Sequence, residues 1–534
     1  MEGIRIIILY LAVPSLLLSA IGQILSWTRR KDTASSKKTF PGPTQFPVVG
    51  RVHDLNRYAF WKNLKTWADE YGPVYRTSMM GQQFIIISDE KIAEEILVKR
   101  GHIYSGRPQI RALYDHKAGP AYLALMDRHD TWTRQRKWVH AAMADFHKNH
   151  FFGAIERETK RFLAVLLLDP AKFHSYVREH SGRVMGRLAW DDATQGNYSG
   201  YSADRTLDQM SISGPMVNSL EFLWRIPHAL NPWKKYERER EDTQRAWWLR
   251  CYKVAKKRFL EGDLPETTWA YRYFTGLQKQ GNTKLQEDEK DEIFSSCMLG
   301  FQNLVGVITI CGPMQFFLMA MELNPEWQRK AQEEIDRVCG DRMPTTADSP
   351  NLPTVRACLK EALRWRSGVP LGVPHQCEED NMWRGELVKK GTIILACEWN
   401  INRNPKQYPD PDNYHPERYL EPSWPTYMEP LSRYPNFREG VGMHTFGWGR
   451  RTCLGQHIVD DEMFVTGAAV LWGFNIFRKA CPMTGEALEI DTEATNAHVI
   501  LETKPFPCGF EPRSEERARL ILQDFGEVQS ELRF

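Results

Sequence analysis

The residue of this chain whose surroundings most favour chemistry is a cysteine in a glycine-rich loop. The segment FGWGRRTCLG, residues 446–455, presents Cys453 two positions after the pair Arg450 and Arg451. Glycines allow the backbone to approach a flat or bulky group closely. Arginines lower the pKa of a nearby thiol and bind carboxylates in a forked geometry. Because a thiolate is a soft metal ligand, the loop indicates a metal-binding cysteine.

The spacing of the other cysteines does not indicate a second site. All ten cysteines lie at or after position 251, and none belongs to a CxxC pair. This spacing disfavours a disulfide framework and a zinc site. It predicts a set of reduced thiols in a reducing compartment.

The composition is that of an ordinary globular protein, with 42% apolar and 26% charged residues in 534. Such a composition excludes a disordered tail protein, a collagen-like fibre and a polytopic transporter. The 70 basic and 67 acidic residues give a net charge of +3. The chain as a whole is therefore not predicted to bind nucleic acid.

The cysteine loop resembles the haem-binding loop of the cytochrome P450 family. The matching pattern is Phe446-x-x-Gly449-x-Arg451-x-Cys453-x-Gly455. The resemblance implies that Cys453 is the axial ligand of a haem b iron. It also implies that the other four residues of the pattern contact the cofactor.

Further motifs occur in the order of the same family, and the resemblance covers about residues 41–514. Glu361 and Arg364 have i,i+3 spacing, which places them on one helix face. By resemblance this pair supports the haem loop together with the arginine of the PERY segment. That arginine is Arg418. Two further motifs resemble partners of the haem propionates: the WxxxR pair, Trp132 and Arg136, and a loop histidine, His375.

Phrases outside these motifs resemble fungal members of the family that act in secondary metabolism. They are PLGVPH at 370–375, LGQHIV at 454–459 and KPFPCGFEPRSE at 504–515. The resemblance implies a haem-dependent monooxygenase that hydroxylates or epoxidises an apolar small molecule. Electrons would come from NADPH through a separate NADPH–cytochrome P450 reductase. Arg134, Lys137 and Arg450 are candidates for its docking face.

The chain departs from the family pattern at the distal motif, glycine-x-acid-threonine. Gly306-Val307-Ile308-Thr309 keeps the glycine and the threonine, but Ile308 replaces the acid. By resemblance Thr309 is the catalytic residue, because the acid–alcohol pair helps to deliver protons to bound dioxygen. Loss of a proton-transfer group costs about 100- to 10,000-fold in rate when nothing replaces it. Pro313 lacks an N–H and predicts a kink beside the haem.

Two alternatives to a monooxygenase stay open because of Ile308. One is a haem-thiolate isomerase or dehydratase that needs no reductase, and the other is a catalytically impaired haem binder. Dependence on NADPH distinguishes the monooxygenase from both of these alternatives. The substrate pocket is predicted from apolar positions on several segments. Its candidate residues are Arg107, Leu304, Gly306, Ile308, Val369, Val373 and Val499.

The elements that position these residues are predicted to be mostly helices, with small peripheral β-sheets, as in the cytochrome P450 fold. Helices are predicted from Asp89 towards residue 98, from Asn324 to about 340, and over 352–366. Residues 74–78 and 84–88 predict a hairpin, and 391–396 a strand. Two uncharged runs, 293–321 and 465–476, predict buried core helices.

The N-terminus is predicted to anchor the chain in a membrane. Residues 6–28 carry no charge, and a helix of that length spans a bilayer core. Because Arg29, Arg30 and Lys31 follow it, residues 1–5 are predicted to be lumenal and the body cytosolic. The alternative is a cleaved signal peptide. Residues 29–46 form a basic, proline-rich linker, and 47–534 one haem-thiolate catalytic domain.

This topology implies a single-pass protein of the endoplasmic reticulum membrane, with lipid around the helix. Asn197-Tyr198-Ser199 is a glycosylation sequon. With a cytosolic body Asn197 is predicted to stay unmodified.

Overall fold

The computed structural model describes residues 40–531 except for 48, 57, 114–116, 212–213, 219–220, 228–229 and 428–443. The predicted lumenal residues 1–5, the membrane helix 6–28 and most of the linker lie outside the described residues. The chain divides into two compact units. The first contains the residues up to Pro108, Leu371–Ile401 and Trp448–Arg450. The second contains Gln109–Pro370, Asn402–Gly447 and Arg451–Phe534. The single domain predicted over 47–534 stays a prediction.

Helices dominate the described chain. In chain order they are α1 (Phe60–Tyr71), α2 (Glu90–Ala93), α3 (Asp130–Lys148), α4 (Gly153–Leu168), α5 (Phe173–Trp190), α6 (Gly196–Met210), α7 (Pro232–Leu260), α8 (Trp269–Lys279), α9 (Glu289–Leu323), α10 (Pro325–Cys339), α11 (Pro353–Trp365), α12 (Glu398–Ile401), α13 (Gln456–Gly473) and α14 (Glu515–Glu531). A π-helical turn, Glu94–Lys99, continues α2.

The strands are short and form three sheets. They are β1 (Val74–Met79), β2 (Gln82–Ile87), β3 (His375–Gln376), β4 (Asn381–Trp383), β5 (Glu386–Val388), β6 (Ile393–Ala396), β7 (Phe474–Arg478) and β8 (Cys508–Pro512). One sheet has the order β1-β2-β6-β3, and β4–β5 and β7–β8 form two-stranded sheets. In the larger sheet β1 and β2 are antiparallel, β2 and β6 parallel, and β6 and β3 antiparallel.

The first unit is built on the four-stranded sheet. Its core contains Ile85, Ile87 and Ile394 from the central strands, packed with Ile96 and Leu97 from the π-helical turn. The central strands are apolar on both faces, which is typical of strands covered on both sides. Helix α1 is joined to β1 by the Tyr75 hydroxyl, which donates to the Leu64 carbonyl at 2.8 Å.

The second unit is built around α9, which packs against helices α5, α6, α7, α11 and α13. Among the described residues α9 is the helix long and apolar enough to cross a membrane, and 83% of its most apolar window is buried. The prediction of a buried core helix over 293–321 is therefore confirmed. The helix continues through Pro313, and a Cβ at Gly368 would lie 3.2 Å from the Pro313 ring.

Most local predictions agree with the structure, and two need correction. The helix from Asn324 exists, but the Asn324 side chain does not cap it; its Nδ2 donates back to the Ala320 carbonyl at 2.8 Å. The apolar run 465–476 is not a helix throughout, because α13 ends at Gly473 and β7 begins at Phe474. An apolar run does not by itself distinguish a buried helix from a buried strand.

Candidate functional site

The cysteine loop enters a helix directly after Cys453. The Cys453 N–H donates to the Phe446 carbonyl at 2.7 Å, which closes the loop on a buried aromatic ring. Gly455 is the N-cap of α13, and a Cβ there would lie 4.0 Å from the Cys453 sulfur. The thiol therefore lies at a helix N-terminus, where backbone N–H groups favour a negative charge.

The Cys453 side chain is exposed, whereas the other cysteines are buried or half-buried. Even so, surrounding protein atoms raise the pKa of this thiol, and the Gly455 N–H and the Arg136 cation act in the opposite direction. The residue therefore combines accessible surface with a dense surrounding of protein atoms. This is the placement that a metal-ligating thiolate needs.

Helix α3 brings Trp132 and Arg136 to the same loop. Arg136 donates to the Thr452 carbonyl at 3.0 Å. The Arg451 guanidinium lies 4.7 Å from the centre of the Trp132 ring, and that of Arg136 lies 5.4 Å from it. The Trp132 Nε1 atom is buried and has no hydrogen-bond partner among the described residues. Two cations and an indole donor are thus grouped beside the thiol.

The structure brings together Glu361, Arg364 and Arg418, which are fully buried. Arg364 binds both Glu361 oxygens, at 2.7 and 2.8 Å, and the Arg418 Nε donates to Oε1 at 3.1 Å. Both guanidinium groups also donate to backbone carbonyls between Pro409 and Asn413. One carboxylate on α11 therefore fixes two arginines that hold an irregular segment in place.

On α9 the Thr309 hydroxyl donates to the Val305 carbonyl at 2.8 Å. Ile308 and Leu304 are buried in the core of the second unit. A Cβ at Gly306 would lie 2.2 Å from the Met185 sulfur, so this glycine allows close packing of α5 on α9. Gly306 and Thr309 keep accessible surface, whereas Ile308 and Leu304 do not.

In the first unit the predicted site residues hold backbone segments. Arg107 is buried and donates to the Pro374 carbonyl at 2.6 Å and the Val373 carbonyl at 3.2 Å. His375 is buried, and its Nδ1 lies 2.8 Å from the Tyr104 carbonyl. Gly449 has a φ of +50°, and a Cβ there would lie 2.6 Å from the Leu97 carbonyl. Only glycine fits that position.

The remaining candidates lie at the surface or between core and surface. Val369 and Val499 are half-buried, and Val373 is exposed. Arg134 is exposed, and its guanidinium lies 4.4 Å from the centre of the Phe294 ring. Lys137 and Arg450 are exposed, so Arg134, Lys137 and Arg450 present positive charge on their own units.

A family model named Cytochrome P450 matches residues 40–173 and 275–495, well over half of the chain. The chain belongs to the cytochrome P450 family. The match includes the Trp132 helix, the Glu361–Arg364 pair and the Cys453 loop. The expectation of a cytochrome P450 enzyme is therefore confirmed, and so is its mostly helical fold with small sheets.

Curated fungal proteins resemble this P450 over nearly its whole length. Cytochrome P450 monooxygenase virE of Hypocrea virens is 28% identical, and the match covers 94% of this chain and 90% of virE. Cytochrome P450 monooxygenase fogE of Aspergillus ruber is 27% identical, covering 91% and 89%. Cytochrome P450 monooxygenase 69 of Postia placenta is 26% identical, covering 92% of each. The family and these relatives support a monooxygenase.

The residues of this P450 fit a haem. Cys453 is accessible at a helix N-terminus, and Arg136 and Arg451 lie beside it with positive charge for carboxylates. The buried Trp132 Nε1 needs an acceptor that the described protein does not supply. A thiolate with three donors for carboxylates is the donor set that haem b requires.

Sequence reasoning missed one polar residue on the distal helix of this P450. Gln302 lies seven positions before Thr309 and keeps accessible surface. The helical period could have found it, because positions i and i+7 share a face.

Proposed function

We propose that this P450 is a haem-thiolate monooxygenase that inserts one oxygen atom from dioxygen into a largely apolar small molecule. The reaction is a hydroxylation or an epoxidation in fungal secondary metabolism. Electrons come from NADPH through a separate reductase. The observation that carries the proposal is the accessible Cys453 thiol grouped with Trp132, Arg136 and Arg451.

Haem b bound through a cysteine thiolate would supply the activation of dioxygen. Cys453 would hold the iron, with the Gly455 and Gln456 N–H groups stabilising the charge on its sulfur. Arg136, Arg451 and the Trp132 indole would orient the cofactor through its carboxylates.

Glu361, Arg364 and Arg418 do not touch the reacting atoms. The two arginines donate four hydrogen bonds to backbone carbonyls of residues 409–413, and Glu361 accepts a fifth from the His415 N–H. A segment without regular structure is held in one conformation by this means. Their role is to position the protein around the cofactor.

Thr309 is the residue that orients the proton donor. Its Oγ1 donates to the Val305 carbonyl, so its lone pairs stay available to accept a hydrogen bond from water. In this arrangement Thr309 orients a proton donor without being the source of the proton. Ile308 supplies no carboxylate, so the proton must come from water or from the substrate.

Ile308 also supports a second candidate, a haem-thiolate isomerase or dehydratase. Such an enzyme rearranges an already oxygenated substrate and needs no electrons from NADPH. The Ile308 side chain is a hydrocarbon and has no proton to give at the distal site. The two candidates differ in reductase dependence.

The first experiment is a carbon monoxide difference spectrum of membranes that contain the full chain and a fungal reductase. We expect the red-shifted band of a thiolate-ligated ferrous haem after reduction by NADPH alone. The matched control is Cys453→Ser, which keeps the loop but removes the soft ligand.

A band that requires a chemical reductant contradicts reductase coupling and favours the isomerase or dehydratase. A Cys453→Ser protein with the same red-shifted band contradicts the assignment of the ligand. The spectrum therefore tests the ligand and the electron source separately.

We propose further that residues 6–28 anchor the protein once in the endoplasmic reticulum membrane, with the catalytic part in the cytosol. The charges of Arg29, Arg30 and Lys31 support this orientation. A glycan at Asn197 would contradict it, because that sequon is exposed to the glycosylation machinery only in the lumen.

A further inference from the structure

Helix α7 carries a stripe of exposed residues whose spacing is symmetrical about Ala246. The other members lie four, seven and eleven positions from Ala246 towards each end of the helix. Because residues three and four positions apart lie on the same face of a helix, all of them lie on one side of α7. The stripe consists of the exposed residues Lys235, Glu239, Asp242, Ala246, Arg250, Lys253 and Lys257.

The charges next to the centre of this stripe have opposite signs on its two sides. Towards the N-terminus, the residues four and seven positions from Ala246 are the anions Asp242 and Glu239. Towards the C-terminus, the corresponding residues are the cations Arg250 and Lys253. A two-fold axis at Ala246 places each half of the stripe against the other half of a second, antiparallel α7. The stripe is therefore self-complementary, as the interface of a two-fold symmetric dimer must be.

Apolar surface accompanies the charges. A shallow groove of about 450 Å³ lies along the C-terminal half of the stripe. Its lining residues belong to α7 and include the apolar side chains of Leu249 and Val254 beside Ala246. Fourteen positions to either side of Ala246 the pattern continues with the exposed apolar residues Pro232 and Leu260. The stripe thus offers apolar contact area near its centre and at its two ends.

The lysines of the stripe also have neighbours in their own chain. Each lies 3.7–3.9 Å from a carboxylate oxygen, and their side chains are 58–76% exposed. Long ion pairs between exposed side chains add little to stability, so these charges stay available to a partner. The two-fold axis brings Lys235 opposite the Lys257 of the second copy, and the neighbouring carboxylates reduce this repulsion. The three pairs are Lys235 with Glu239, Lys253 with Glu292 and Lys257 with Glu261.

We propose that this stripe is an interface between two copies of the chain, with antiparallel α7 helices related by a two-fold axis at Ala246. An acidic partner protein or an anionic lipid surface matches the C-terminal half but is repelled by Glu239 and Asp242. A second copy matches the charges on both sides of the centre. The small side chain of Ala246 allows the two helix axes to approach to about 8 Å.

Disulfide cross-linking of the full chain in membranes tests the position of the axis. Ala246→Cys places two thiols on the axis, with their Cα atoms about 4–6 Å apart, within the range of a disulfide. Lys257→Cys is the matched control, because it puts an exposed thiol on the same stripe but about 33 Å from its copy. With copper phenanthroline as the oxidant, we expect about tenfold more covalent dimer from Ala246→Cys than from Lys257→Cys. The wild type measures the background from native thiols such as the exposed Cys453.

Charge exchange in the Ala246→Cys protein tests the complementarity. Glu239→Lys with Asp242→Lys makes both sides of the centre positive, and Arg250→Glu with Lys253→Glu makes both sides negative. Each of these proteins alone is expected to form about tenfold less covalent dimer, because attractive pairings become repulsive. Co-expressed in one membrane with tags of different length, the two are expected to form the mixed dimer at the level of Ala246→Cys.

Equal cross-linking of Ala246→Cys and Lys257→Cys means random collision and overturns the proposal. So does an Ala246→Cys protein that forms no more dimer than the wild type, or a charge-altered protein that still cross-links to itself at full level. A covalent product with a different protein assigns the surface to that protein and overturns the proposal as well. Because the readout is the mass of the cross-linked product, it does not depend on the proposed oxygenase activity.

Discussion

At the residue scale, a buried carboxylate that binds two arginines is expected to contribute strongly to stability. Glu361 contacts Arg364 and Arg418, and all three side chains are at most 3% exposed. Glu361→Gln leaves two buried guanidinium charges with no anion between them. Removal of one partner of a buried ion pair costs about 3–5 kcal/mol. We expect a loss of this size in urea denaturation of the full chain.

The control for this variant is Glu333→Gln. Glu333 pairs with Arg329 on α10, but both side chains are more than 60% exposed. Exposed ion pairs add little to stability, so this change is expected to leave the denaturation midpoint in place. Equal losses in the two variants would contradict the buried-triad argument.

At the same scale, Trp132→Phe tests the indole donor. The ring stays available to the Arg136 and Arg451 cations, but the Nε1–H is lost. Because this atom has no partner in the described protein, the haem-free chain should be as stable as the wild type. Haem should leave about tenfold faster, since one hydrogen bond to a charged carboxylate is lost. Transfer of haem to apomyoglobin measures that rate.

Trp472→Phe is the matched control. Its Nε1 is also buried without a hydrogen-bond partner among the described residues, and the Arg517 cation lies 4.6 Å from its ring. It lies near the end of α13, far along that helix from the cysteine loop. An accelerated haem loss in Trp472→Phe would show that general loosening, not the Trp132 donor, sets the rate.

At the scale of elements, α9 packs against its neighbours through glycines. A Cβ at Gly300 would lie 2.2–2.5 Å from three ring atoms of Trp248 on α7. An indole cannot move aside as a flexible side chain does. Gly300→Ala is therefore expected to destabilise the fold by about 1–3 kcal/mol, the usual cost of overpacking. The change in the urea midpoint measures it.

Gly276 provides the opposite case in α8. A Cβ at Gly276 would have no atom within 4 Å, and the residue lies inside a helix. Gly276→Ala should therefore stabilise the chain by about 0.5–1 kcal/mol, because alanine loses less entropy in a helix. If both alanine variants shift the urea midpoint in the same direction, the clash with Trp248 does not explain the effect of Gly300→Ala.

The sequence predicts the elements best where the signal is local. The Cys453 loop, the Glu361–Arg364 pair and the hairpin at Gly81 depend on neighbouring residues, and the structure places each as expected. Gln302 was not predicted, although the helical period from Thr309 places it on the same face of α9. The start of β7 at Phe474 was missed because an apolar run does not by itself distinguish a buried helix from a buried strand.

At the scale of the whole molecule, two of the buried titratable groups show how stability depends on pH. Burial raises the pKa of Glu462 to about 8, from an ordinary value of 4.5. Burial lowers the pKa of His180 to about 4, from 6.5. Both belong to the packing of α5 against α13, where the His180 Nε2 lies 2.9 Å from the Thr466 hydroxyl.

The two groups act in opposite directions. Between pH 4.5 and 8 the folded chain holds a proton on Glu462 that the unfolded chain has lost, so stability falls as pH rises. Between pH 6.5 and 4 the unfolded chain gains a proton on His180 that the folded chain refuses, so stability falls as pH falls. The contributions of Glu462 and His180 oppose each other below pH 6.5. Above it Glu462 acts together with Glu241 and Glu322, whose pKa values burial raises to about 7.

The difference between the wild type and a variant that lacks the Glu462 carboxyl therefore isolates Glu462 between pH 6.5 and 8. We expect the wild type to lose up to about 1.4 kcal/mol per pH unit more than Glu462→Gln there, with this difference levelling off above pH 8. Glu462→Gln imitates the protonated acid and cannot ionise, so its urea midpoint should stay flatter over that window. Equal slopes for the wild type and Glu462→Gln would mean that Glu462 is already ionised in the folded chain. In that case the packing of α5 against α13 would have to hold a buried carboxylate charge that Ser181 alone does not offset.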